Sequence, residues 1–174
     1  RKELNVKEIV RIGTVGEERF SVGQAHLIDF AHDGMPQILC TPWLIWYLEH
    51  AARNAVLPFL EPGESTVGVA VNVEHTAATP LGASVLCSAR VIYVDGPLIS
   101  FQLEAHDEHE KIAAGTHNTL HYTHEYDPLV LSRYADAAVR RHRARERQRR
   151  RRRQTAAAAG AAARAAADGP TDLR

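Results

Sequence analysis

Between Cys40 and Val56 the apolar residues Trp43, Leu44, Ile45, Trp46, Leu48, Ala51 and Ala52 occupy successive turns without alternating. A run of this length predicts a helix that is apolar almost all round. Thr41 and Pro42 supply its start, a hydroxyl N-cap followed by proline at the first helical position. Pro58 ends it near Leu57, because the residue before a proline avoids the helical region.

The period then changes to two. Val67, Val69, Val71 and Val73 alternate with smaller or polar residues, and His75 continues that phase. The histidine is therefore expected on the core-facing side of a half-buried strand. "ASVLCSARVIYV", "LISFQLEAHD" and "IAAGTHNTLHYTH" read as further strands, parted by Asp95-Gly96 and by "HDEHEK". Before the helix, "GEERFSVGQAHLIDF" suits a strand broken at Gly23, and "AHDGMPQIL" suits a loop. A helix with so much apolar surface must be wrapped, and a curved sheet is the partner this chain offers. The predicted class is α+β, a hotdog: an antiparallel sheet around one long central helix.

Composition divides the chain. Residues 1–132 hold 8 Lys+Arg against 17 Asp+Glu, and residues 133–174 hold 13 against 4. The expected organisation is a hotdog domain over 1–128, followed by a basic, Ala/Arg-rich extension over 129–174. "LSRYADAAVRRHRARERQ" suits a helix, and the remainder of the extension is read as disordered. Arg149 to Arg153 have no interleaved aromatic residues, so nucleic acid is not an expected partner. Cys40 and Cys87 form no disulfide framework. No apolar run approaches the roughly 20 residues that span a bilayer, and no secretory leader is evident. A cytoplasmic protein without a membrane partner is expected.

The chemistry starts from Glu49, whose turn-neighbours are Ile45, Trp46, Ala52, Arg53 and Val56. Either it lies on a solvated edge with His50, Arg53 and Asn54, or it is a general base or nucleophile. His75, at a strand end beside "TAATP", reads as a structural or a catalytic histidine. His106, His109, His117, His121 and His124 lack companions at ligand spacing and are read as exposed strand histidines, not a metal site.

Taken together, Thr41, Glu49 and His75 in "VGVAVNVEHTAATPLG", with Gly115-Thr116-His117, resemble the fluoroacetyl-CoA thioesterase-like family of hotdog proteins. The resemblance runs from about Gly16 to about Tyr126, and "LEPGESTVG" and "EHTAATPLG" are its most specific parts. It implies hydrolysis of a short acyl-CoA thioester, with acyl-CoA as the substrate and no cofactor or metal. It assigns Thr41, Glu49 and His75 as the catalytic set, and places Gly68 in the acyl pocket with its backbone N–H close to the substrate. Two departures matter. The pre-helix stretch has no Phe after Phe30, and Asn118-Thr119 stands where relatives often carry Glu-Arg. Fluoroacetyl-CoA is therefore not the predicted substrate. The alternatives are a hotdog hydratase or dehydratase, for which His32 is a poor match, and a non-catalytic acyl-CoA binder. Thr41 and Glu49 lie about 12 Å apart along a helix axis. This spacing predicts a site shared between two chains of a homodimer or higher homo-oligomer.

Overall fold

Five strands and one long helix carry the architecture of this computed structural model, which describes residues 10–29, 34–123 and, further on, 140, 143, 144, 147, 148, 151, 152 and 154–156. Strand β1 (Val15–Ser21) leads through the 3-10 turn Gln24–His26 to helix α1 (Thr41–Val56). Strands β2 (Glu64–His75), β3 (Ser84–Asp95), β4 (Leu98–His106) and β5 (Lys111–Thr123) follow. The sheet is antiparallel throughout, in the order β1-β3-β4-β5-β2. This is the hotdog arrangement the hydrophobic pattern predicts. Gly96 turns the β3–β4 hairpin at φ 56, in the left-handed region that glycine tolerates.

The helix is not buried all round. Leu44, Leu48, Ala51, Ala52, Ala55 and Val56 form the buried stripe, while Trp46 is 43% exposed. A single five-stranded sheet covers one side of the helix, so Trp46 faces outward while Trp43 and Tyr47 pack partly buried against the core. At Gly16 the contact is tightest: a Cβ there would collide with the backbone of Ala51 and Ala55. Val85, Cys87, Ala89 and Val91 of β3 and Ile99, Phe101, Leu103 and Ala105 of β4 complete the core.

Two further expectations change. The helix cap is Cys40, in extended conformation and without a side-chain capping bond, so Thr41 is the first helical residue. The phase of β2 also breaks at a bulge between Gly68 and Ala70. Two residues there oppose one, which reverses the alternation. Gly68, Val71, Val73 and His75 consequently share a face that Val67 does not, and Val67 and Val71 stay exposed on an edge strand. The strand before the helix ends at Ser21, short of the expected break.

The chain divides into two units, Arg1–Ala135 and Asp136–Arg174. In the second, the described residues are helical and exposed. The expectation of disorder over 129–174 otherwise lies outside the described residues, as do Phe30, His32 and His124. Among the described residues, no helix is long and apolar enough to cross a membrane.

Candidate active site

Backbone pairing brings the start of α1 to the end of β2. The Leu39 N–H donates to the Thr79 carbonyl at 2.8 Å, and the Leu81 N–H donates to that of Gln37 at 3.1 Å. The Cys40 N–H is held by the His26 carbonyl at 2.9 Å. The approach to the helix is thereby zipped against the loop that follows His75. Because the Thr41 hydroxyl does not cap the helix, it is free to meet His75: Oγ1 lies 3.1 Å from Nδ1. Nε2 of His75 is buried and meets no partner at hydrogen-bond distance. Desolvation pushes the His75 pKa below its ordinary value, offset in part by the Ala77 backbone, so the ring is neutral at pH 7.

Two turns along the helix, Glu49 points at a second histidine. Its Oε1 lies 3.7 Å from Nε2 of His117. A Cβ on Gly68 would stand 2.6 Å from that oxygen and 3.1 Å from Cε1 of His117. The missing side chain at Gly68 is what leaves room for the carboxylate. Glu49 is 43% exposed, so the carboxylate keeps water on one side while it converges on buried groups on the other. Its partial exposure fits the solvated-edge reading, and its place beside His117 and Gly68 is what the reading as a base or nucleophile requires.

His117 corrects the reading of exposed strand histidines. It is 2% exposed, and its Nδ1–H donates to the Ala70 carbonyl at 3.0 Å. His121 is also buried, with Nε2 3.2 Å from Oε2 of Glu64. Both face inward from β5, where His117 pairs across from the core residue Phe101. Burial is tolerated because the β2 bulge and Glu64 supply partners. Desolvation pushes the His117 pKa down, outweighing the opposing effects of Ala70 and Glu49. The signal for His117 was available in its shared phase with Ala113 and Gly115, small residues on the same strand.

The site thus holds two polar pairs, Thr41–His75 and Glu49–His117, with Gly68 at the second. Among the described residues no hydrogen bond links Thr41 to Glu49, in keeping with their separation along the helix. A carboxylate open to water, a neutral imidazole and a bare backbone beside them suit addition to a carbonyl and stabilisation of the resulting oxyanion. Among the described residues, no cluster of three His, Cys, Asp or Glu side chains could hold a metal ion.

A family model described as fluoroacetyl-CoA-specific thioesterase matches residues 22–120. The fluoroacetyl-CoA thioesterase of Streptantibioticus cattleyicolor is 40% identical over 82 residues, which are 47% of this chain and 59% of that protein. The chain thus spans about three fifths of that curated relative. Among solved structures, a mutant of the fluoroacetyl-CoA-specific thioesterase in complex with fluoroacetate and CoA superposes with a TM-score of 0.60 at 31% identity, over 66% of this chain and 97% of that one. A thioesterase superfamily member from Thermus thermophilus gives 0.61 at 24% identity, over 79% and 96%, a likeness of fold alone.

Proposed function

The chain belongs to the fluoroacetyl-CoA-specific thioesterase family, and on that footing we propose that it hydrolyses an acyl-CoA thioester to a carboxylic acid and free CoA. The observation that carries the reading is the pairing of Thr41 with His75 at 3.1 Å, on a chain that sets Glu49 against Gly68. Glu49 acts as base toward water or attacks the thioester carbonyl directly, and the Gly68 backbone N–H meets the oxygen that becomes negative. His75 orients water, or relays to the departing thiolate the proton that water loses. Thr41 fixes the His75 ring.

A homodimer is part of this reading. β2 is a 12-residue edge strand with Val67 and Val71 37% and 39% exposed, and an unpaired edge of that length invites a second copy. One working site would then join Thr41 and His75 of one chain to Glu49 of the other. The domain proper is 1–128, and the unpaired thiols of Cys40 and Cys87 support a reducing, cytoplasmic setting. Thr119, in the place of the arginine that relatives often carry, and the pre-helix stretch without a further Phe both argue for an acyl group other than fluoroacetyl.

The test is release of free thiol from short, medium and aromatic acyl-CoA esters. Hydrolysis of at least one is expected, and inertness toward all of them would end the proposal.

A further inference from the structure

His117 has a role that the catalytic set of Thr41, Glu49 and His75 leaves unfilled, and its assignment rests on the thioesterase reading. The ring is clamped from one side only. Nδ1 donates to the Ala70 carbonyl at 3.0 Å, which fixes the neutral tautomer and leaves an unprotonated Nε2. That nitrogen faces Oε1 of Glu49 at 3.7 Å. Once the carboxyl carries a proton, a small rotation of the half-exposed group lets its O–H donate to Nε2.

The surroundings isolate the pair. α1 presents Glu49, and β4 presents the Phe101 ring, whose centroid lies 6.2 Å away. β2 presents Gly68 and the Ala70 carbonyl, with His75 further along at the Ala113 register. On β5 itself the next inward titratable group, His121, is engaged by Glu64 at 3.2 Å.

We infer that His117 is a positioning residue for Glu49, accepting at Nε2 the proton that the carboxyl takes from the attacking water. Water loses a proton to Oε1 of Glu49 as its oxygen bonds to the thioester carbon, and the C–S bond then breaks, the CoA thiolate leaving and taking its proton from solvent. The proton is shared between Oε1 and Nε2 until it leaves through the solvent-facing side of Glu49. The imidazole thereby draws the proton off and returns the carboxylate to its basic form, and it holds the protonated carboxyl over Gly68.

Two variants and a spectrum test this. His117→Asn keeps a donor for Ala70 but has nothing at the Nε2 position, and His117→Gln reaches toward Glu49 but cannot titrate. Both are expected to lower kcat about 100-fold with KM unchanged, and to simplify the acidic limb of the kcat profile to one ionisation. In wild-type protein the His117 ring nitrogens should give NMR signals of an Nδ1–H tautomer whose Nε2 shift moves on Glu49→Gln. Wild-type kcat and pH profile in both variants, with Glu49→Ala inactive, would overturn the role of His117 and leave the thioesterase reading standing. Should the variants not fold, an Nε2 signal indifferent to Glu49→Gln overturns it. A wild-type protein that cleaves no thioester removes both.

Discussion

The Thr41 hydroxyl lies 3.1 Å from Nδ1 of His75, joining the first residue of the helix to the last residue of β2. An alanine at this position leaves the imidazole unguided without touching the core, since Thr41 is exposed. Thr41→Ala is expected to lower kcat by about 10- to 100-fold with little change in melting temperature, and Thr41→Ser to recover most of the loss. Steady-state kinetics on the best acyl-CoA ester decide it. Equal losses for alanine and serine would mean that the hydroxyl is not the active part.

Gly68 separates stability from activity. The first atom a new Cβ would meet is the far end of the flexible Glu49 side chain, so Gly68→Ala can relax by swinging the carboxyl away. The fold should survive within about 1 kcal/mol, while turnover falls at least tenfold because Glu49 is displaced. Chemical denaturation alongside kinetics checks both halves. An unfolded Gly68→Ala would show that the strand, not the carboxylate, needs the glycine.

The two lowered histidines set a pH dependence of stability. Desolvation holds the folded-state pKa of His75 and His117 below 6.5, the ordinary value. As pH falls through 6.5, the unfolded chain takes up protons that the folded chain refuses, so stability declines toward the folded-state pKa values. Above this window the two states bind protons alike and the contribution is complete. Melting curves from about pH 8 down to about pH 5 should fall more steeply for wild type than for a His75→Asn, His117→Gln double variant. Parallel curves would contradict the desolvation of these rings.

The proposed shared site makes a prediction that neither parent protein can meet alone. Thr41→Ala and Glu49→Ala proteins, mixed with subunit exchange, form heterodimers in which one of two sites has both side chains. Activity should return to about a quarter of wild type after random exchange. Heterodimers as inactive as their parents would place the whole site in one chain.

Much of this was legible in the chain. The end of the helix, the order of elements and the Asp95-Gly96 turn follow from period, proline and glycine, which act locally. The bulge after Gly68 was not, because a valine-alternating strand looks the same with or without an inserted residue; only pairing with β5 decides it. The Ala70 carbonyl beside this bulge is the partner that lets His117 be buried, and that partner is not visible in the sequence, although the ring's inward phase is. Thr-Pro is a common helix start and points to Thr41 as the cap, whereas the extended backbone at Cys40 places the cap one residue earlier. Trp46 shows the limit of reading burial from hydropathy: the pattern marks an apolar residue, not what covers it.

In the proposed mechanism Glu49 does the chemistry. Thiol release from the preferred acyl-CoA ester should be compared for wild type, Glu49→Ala and Glu49→Gln, with folding confirmed for each. Both variants are expected to lose at least about 100-fold in kcat while still binding the ester. Glu49→Ala turning over at the wild-type rate would contradict the account.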